Sequence, residues 1–190
     1  MRIARKSRLA RYGLLAVLWA GLFPSPILAA DDKASEYALK AAFLYKFGDF
    51  VSWPDGVFAS PATPIILCIV GRDPFGGLLD EVVKGQAVGS HAIVVRRLQL
   101  VQRNDECHIL YASGSLAQNP DAALAAVRGT PTLTITDENQ NATTHGIIHL
   151  VIRDKRVRLE IDQQAAAENN LGVSAKLLSI AISVRPRSGK

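Results

Sequence analysis

Apolar and polar positions along the chain form blocks that predict helices and strands in alternation. From residue 33 to residue 50 the apolar residues recur three and four positions apart over a wide face, which is typical of a helix packed on one side. Pro54 prevents this helix from continuing and favours an extended Trp53. The predicted helices are 33–50, 75–84, 120–128 and 174–184, and the predicted strands are 65–70, 92–98, 107–111, 133–136, 146–153 and 156–162.

Strands that alternate with helices favour an α/β layered sheet within one domain. The last two predicted strands flank Asp154 and Lys155, so we predict that they form an antiparallel hairpin. In its second arm, Val157, Leu159 and Ile161 alternate with charged residues, as in a half-exposed strand. The apolar face of helix 33–50 is too wide to be left in water, which favours packing on the sheet over docking to a partner or a second copy.

The first 30 residues resemble a secretory signal peptide. A start with five basic residues precedes an apolar run at 13–23, and small residues follow at the end. The run is shorter than the roughly 20 residues of a membrane span, although an uncleaved anchor is the alternative. We therefore predict a signal peptide over residues 1–30, cleaved after Ala29 or Ala30, and one exported domain over residues 31–190.

The positive charge of the whole chain comes from this leader. The chain has 22 Lys and Arg against 17 Asp and Glu, a formal net charge of +5. Residues 1–30 hold five of the basic residues and none of the acidic ones, which leaves 17 of each. A protein that binds DNA or RNA needs a basic surface to displace counterions. We therefore predict no nucleic-acid partner.

The motifs that could carry chemistry are weak. The segment 71–77 (GRDPFGG) follows a strand but lacks the spacing of a phosphate-binding loop, which favours a turn and a helix start. Ser113 and Ser115 do not form a nucleophile elbow, and no base is placed beside them. On an extended strand, His145 and His149 would lie about 13 Å apart, too far for one metal ion. We predict no catalytic residue, no cofactor and no metal site.

The two cysteines suggest a disulfide. Cys68 and Cys107 each lie in or beside a predicted apolar strand, and an even number of cysteines in an exported protein favours a disulfide. Two buried free thiols are the alternative.

Several segments, taken together and in order, resemble the YfiR family. They are KAAFLYKFGDFVSWP, ILCIVGRDPFGGLL, VVRRL, CHILYAS, LTITDEN, GIIHLVIRDKRVRLEIDQQAA and NLGVSAKLLSIA, and they span nearly the whole predicted exported domain. The resemblance implies a single-domain α/β sandwich in the periplasm, with a mainly parallel sheet flanked by helices and a C-terminal antiparallel hairpin.

The resemblance also implies a role without catalysis. Members of the family restrain an inner-membrane diguanylate cyclase by contacting its periplasmic sensor domain, which lowers cyclic di-GMP and biofilm formation. An outer-membrane, peptidoglycan-associated lipoprotein draws the repressor away. A homodimer is a further expectation. The alternatives are a periplasmic small-molecule-binding module, because strand ends of an open α/β sheet form a crevice, and a hydrolase, which the lack of a nucleophile–base pair disfavours.

Two groups of residues match functional positions of the family. Cys68 and Cys107 match paired cysteines, whereas Ala142 and His149 stand where relatives have a second pair. The segment 160–176 matches the partner-facing region, and the partner-binding residues it implies are Glu160, Leu171, Val173 and Lys176. Leu171 and Val173 lie in a polar loop, so they could belong to the core or anchor a partner. If they are anchors, glutamate at either position should release the cyclase without unfolding the repressor.

Overall fold

A sheet of eight strands runs through the protein, and a computed structural model describes residues 27–138, 140 and 142–188. The predicted signal peptide lies mostly outside these residues. The helices are α1 (Ile27–Lys46), α2 (Gly77–Val83), α3 (Pro120–Ala126), α4 (Gln163–Glu168) and α5 (Ala175–Ile180). The strands are β1 (Val51–Ser52), β2 (Ile65–Gly71), β3 (Ala87–Val88), β4 (His91–Leu98), β5 (Ile109–Gly114), β6 (Leu133–Asp137), β7 (Ile148–Arg153), β8 (Arg156–Asp162), β9 (Gly172–Val173) and β10 (Ser183–Arg185).

The sheet order is β10-β8-β7-β6-β5-β2-β4-β3, and the five neighbouring strands from β7 to β4 are parallel. This is a doubly wound arrangement in which the chain reverses its direction across the sheet between β2 and β5. β7 and β8 form the predicted antiparallel hairpin. Its two turn residues, Asp154 and Lys155, have φ values of 52° and 58°, which suit a tight hairpin turn. The predicted fold class is therefore confirmed.

Strand β2 is buried on both faces, which explains its unbroken apolar sequence. Ile65, Leu67 and Ile69 pack with α1 and α2, while Ile66 and Cys68 pack on the other face with α3. The core therefore has two layers separated by the sheet.

Helix α1 packs its apolar face on the sheet, as predicted. Ala41 and Leu44 are fully buried, Phe47 just after the helix is 3% exposed, and all three belong to the main core cluster. The predicted helix differs at its end, because residues 47–50 form a 3-10 turn before the chain becomes extended at Val51. Trp53 then donates a hydrogen bond from Nε1 to the carbonyl of Pro131 at 3.0 Å. Among the described residues, no helix has the length and apolar character needed to cross a membrane.

A buried ion pair joins α1 to the carboxyl end of β6. Lys40 Nζ lies 2.6 Å from Asp137 Oδ2, and both side chains are fully buried. Glu36, one helical turn before Lys40, also contacts the ammonium group. Burial lowers the pKa of Lys40, but the hydrogen bonds and charges of both carboxylates outweigh it and hold that pKa above its usual value. The Tyr111 hydroxyl donates to the same Asp137 oxygen at 3.3 Å, and burial raises the pKa of Tyr111 far above its usual range.

The C-terminal region differs most from the prediction. The predicted helix 174–184 ends at Ile180, because Ala181 is extended and the Ile182 N–H donates to the Leu159 carbonyl at 2.9 Å. The chain then forms β10 parallel to β8, so pairing with the sheet replaces the last helical turns. Ile180, the last residue of α5, is 61% exposed. Helix α4 was not predicted; its first turn is capped by the Asp162 carboxylate, which accepts from the Ala165 N–H at 2.9 Å.

A buried histidine makes stability sensitive to mild acid. His108 Nδ1 accepts a hydrogen bond from the Ile66 N–H at 3.0 Å, and its ring stacks on Phe58. Burial lowers the pKa of His108 below its unfolded value. The unfolded chain therefore takes up this proton first. As pH falls below about 6.5, the free energy of unfolding should fall by at most about 1.4 kcal/mol per pH unit for this group.

Urea unfolding between pH 7.5 and 5 checks this expectation. The matched variant is His108→Asn, whose side-chain oxygen can still accept from Ile66 N–H but does not titrate. It should show a shallower loss of stability in acid. Equal pH dependence in both proteins would contradict the assignment to His108.

Candidate partner-binding surface

Cys68 and Cys107 form the predicted disulfide, so the alternative of two free thiols does not hold. Their Cα atoms lie 5.8 Å apart, and 39 positions separate them in the sequence. Cys68 lies in the middle of β2, and Cys107 lies just before β5. The bond therefore ties together the two central strands, between which the sheet reverses its order.

Leu171 belongs to the core and not to the surface. It is 2% exposed and packs in the main apolar cluster with Leu159 and Leu177. The choice between core and anchor is thereby resolved for Leu171. The expectation that a glutamate there would leave the fold intact is wrong, because a buried carboxylate without a partner would unfold this region.

Val173 and Lys176 lie together near the end of α1. Val173 is half-buried in β9, which pairs antiparallel with β1 opposite Val51. Lys176 is exposed in the first turn of α5, and its Nζ lies 5.7 Å from the centre of the Phe50 ring. The Ser174 N–H donates to the Phe50 carbonyl at 2.9 Å, so the segment is fastened to the chain that leaves α1.

Glu160 lies on the opposite face of the sheet. Its neighbours in β8, Leu159 and Ile161, point into the core cluster that holds Leu171, so the side chain of Glu160 points away from it. Glu160 Oε2 lies 3.9 Å from His145 Nδ1. The structure therefore brings two of the four predicted partner-binding residues together and separates Glu160 from them.

An exposed apolar ridge, absent from the prediction, follows Val173 and Lys176 along the chain. Ile180, Ile182 and Val184 are 61%, 48% and 37% exposed and stand two residues apart. Ile182 directly precedes β10 and Val184 lies within it, and the only strand neighbour of β10 among the described residues is β8. We call Val173, Lys176, Ile180, Ile182 and Val184 the C-terminal edge. Sequence reasoning missed the ridge because it assigned these residues to a helix.

His145 and His149 lie together, which corrects the predicted separation of about 13 Å. Their rings stack with centroids 3.6 Å apart. The prediction was wrong because β7 begins only at Ile148, so the chain before it is not part of an extended strand. The chain bends at Ile147, and at Gly146 it passes so close to β6 that a Cβ atom would lie 2.7 Å from the Thr134 carbonyl oxygen. Burial lowers the pKa of His149, whose Nδ1 is 2.9 Å from Thr136 Oγ1.

A crevice lies at the carboxyl ends of β2 and β5, where the strand order reverses and ligands of such sheets bind. Its volume is about 750 Å³. Gly71 and Gly114 are the last residues of the two strands, and a Cβ atom on Gly71 would meet the Gly114 carbonyl oxygen. Further lining side chains are Tyr37, Arg72, Tyr111, Ser113, Asn119 and Gln140.

Ser115, which lines this crevice, serves the fold. Ser115 Oγ accepts hydrogen bonds from the N–H groups of Ala117 and Gln118 and donates to the Gln99 carbonyl, all at 3.1 Å. The described side chains that line the crevice include no histidine. The segment 71–77 forms the predicted turn, in which Asp73 accepts from backbone N–H groups before α2 begins.

Comparison with known protein families identifies the group to which this architecture belongs. Residues 37–182 match the model of the family described as YfiR/HmsC-like. The matched range includes the whole sheet except β10. No curated protein matches the chain significantly.

Proposed function

Because the chain belongs to the YfiR/HmsC-like family, we propose that it binds the periplasmic sensor domain of an inner-membrane diguanylate cyclase and inhibits that enzyme. The family is regulatory and non-catalytic, and its members act in the periplasm on diguanylate cyclase signalling. Inhibition would lower cyclic di-GMP and biofilm formation. Cys68 and Cys107 would hold the sheet together, and the C-terminal edge would make the contact.

The exposed apolar ridge of the C-terminal edge is the observation that supports this contact. A single exposed apolar side chain is ordinary, but here three exposed apolar residues follow one another at every second position, from the end of α5 into β10. The outer side of such a strand also offers backbone N–H and C=O groups to an incoming segment. Val173, which is half-buried opposite Val51, and Lys176, which lies over the Phe50 ring, would add to this contact.

Ile182→Glu should abolish repression while the protein stays folded. A carboxylate at the centre of the buried part of an interface must lose its water, which weakens binding by about 2 kcal/mol or more, roughly thirtyfold. Ile182 is 48% exposed in the free protein, so the charge remains hydrated there. Binding of the purified sensor domain and cellular cyclic di-GMP are the two measurements.

Val94→Glu is the matched control. Val94 is 45% exposed on β4, toward the other end of the sheet. Its replacement by glutamate also puts a charge in place of an exposed apolar side chain. This variant should bind and repress normally. Equal loss of binding in both variants, or unchanged cyclic di-GMP when the gene is deleted, would refute the proposed contact.

Glu160 requires a separate role in this proposal, because it faces the other side of the sheet. Glu160→Lys should weaken the complex only if the sensor domain reaches around β10 to that face. Comparing it with Ile182→Glu in the same binding assay shows whether the interface covers one face or both.

The outer-membrane, peptidoglycan-associated lipoprotein and a homodimer are further proposed partners. Their support is the family resemblance and the outer side of β10, which pairs with no other strand of the described residues and can receive only one segment at a time. Lipoprotein and sensor domain should therefore compete for the repressor in a pull-down. Sedimentation of the wild type and Ile182→Glu shows whether a dimer uses the same edge.

A small-molecule-binding module is the second candidate function, favoured by the crevice at the ends of β2 and β5. Amino acids and aromatic metabolites are suitable probes because tyrosine, asparagine and arginine side chains line it. A bound compound should raise the unfolding temperature of the wild type and not that of Ser113→Phe, which fills the crevice. No shift with any compound would count against this function.

A further inference from the structure

We propose that His145, His149 and Glu160 bind a Zn²⁺ ion. Each side chain offers one ligand atom, and the three atoms lie within 4.8 Å of one another. Two imidazoles and one carboxylate, with a water in the fourth position, are a common ligand set for zinc. Mg²⁺ and Ca²⁺ prefer sites made only of oxygen atoms, so this site should favour zinc.

The site needs a small movement of its exposed members. In a tetrahedral zinc site with bonds of about 2.0–2.1 Å, ligand atoms lie roughly 3.3 Å apart. The ring planes of His145 and His149 make an angle of only 10°. Their nitrogen lone pairs therefore lie in two nearly parallel planes and cannot both point at one ion. The side chain of His145 is 50% exposed and can rotate, and that of Glu160 is 30% exposed. The buried His149 supplies the fixed ligand.

The surroundings of His149 already resemble those of a zinc ligand. Thr136 Oγ1 lies 2.9 Å from His149 Nδ1 and can accept a hydrogen bond from an Nδ1–H group, which leaves Nε2 free for a metal. The Gly146 N–H donates to the same hydroxyl at 2.9 Å and fixes its position. Such second partners orient metal-binding histidines.

The cavity beside the cluster leaves room for a metal-bound water. Its volume is about 330 Å³, and Arg185 and Asp162 also line it. The positive charge of Arg185 would oppose a cation, but its guanidinium is paired with Asp162 at 3.1 Å. A bound zinc would connect the loop before β7 with β7 and β8, next to Ser183 of β10, which stands opposite Glu160.

The test is zinc binding by the untagged exported domain, residues 31–190, measured by competition with a chromophoric chelator. His145→Gln and Glu160→Gln change side chains that are partly exposed, so both variants should fold, and circular dichroism checks this. Each should weaken zinc binding at least about tenfold. His91→Gln, which removes an imidazole elsewhere, is the control and should bind as the wild type does.

Co²⁺ provides a second readout that a general affinity for metal would not reproduce. The wild type should show the visible absorption of a four- or five-coordinate site, and both variants should lose it. Three results would overturn the proposal: no one-to-one zinc binding by the wild type, unchanged affinity in His145→Gln and Glu160→Gln, or an equal loss in His91→Gln.

Discussion

Lys40→Met is expected to lower the free energy of unfolding by about 3–5 kcal/mol. Methionine nearly preserves the volume of the side chain but removes the ammonium group that lies 2.6 Å from Asp137 Oδ2. Both side chains are fully buried, so the carboxylate would lose its cationic partner where water cannot replace it. The hydroxyl of Tyr111, 3.3 Å away, is a much weaker partner for a full charge.

Urea unfolding monitored by tryptophan fluorescence measures this effect. The matched variant is Lys40→Met combined with Asp137→Asn, which removes both charges and keeps an acceptor for Tyr111. It should recover most of the loss, because a neutral pair needs little solvation. A loss below about 1 kcal/mol in the single variant, or no recovery in the double variant, would contradict the importance of the buried pair.

Removing the disulfide is expected to cost about 4 kcal/mol. The bond closes a loop of about 40 residues, and the chain-entropy model predicts this loss when such a loop is opened in the unfolded state. The variant is Cys68→Ala combined with Cys107→Ala. Its unfolding midpoint in urea should not change when a reductant is added, whereas that of the wild type should fall.

Reducing the wild-type protein separates the contribution of the disulfide bond from that of the packed sulfur atoms. The reduced protein keeps both sulfur atoms in the second core layer, where Cys68 and Cys107 pack with Val70 and Leu110, and loses only the bond. The alanine variant also loses the volume of the sulfur atoms, so it should be somewhat less stable than the reduced wild type. Wild-type stability that does not respond to complete reduction would contradict a role for the bond.

Local patterns in the sequence were sufficient to predict the order of most elements. The unbroken apolar run of β2 predicts a strand buried on both faces, and the alternation of Val157, Leu159 and Ile161 predicts the half-exposed β8. Asp154 and Lys155 predict the hairpin between β7 and β8. These signals arise within a few residues, because periodicity and turn residues act on their own neighbours.

The candidate surface could be predicted only in part. The family resemblance pointed to segment 160–176, and the structure leaves Lys176 of that segment exposed and Val173 half-buried. Leu171 turned out to be core, and Glu160 faces the other side of the sheet. Burial and direction depend on which element covers a residue, and the sequence of one segment does not contain that information.

The sequence by itself determined the α/β class, the hairpin and the presence of two cysteines suited to a disulfide. The tertiary structure alone decided that the chain after Ile182 forms an exposed edge strand, because the backbone hydrogen bond from the Ile182 N–H to the Leu159 carbonyl competes with the helix that local propensity favours. It also decided that Lys40 is buried against a carboxylate 97 positions away, and that His145 folds back onto His149. Contacts between distant segments form only when the chain is packed, and they outweigh the small preferences of each residue alone.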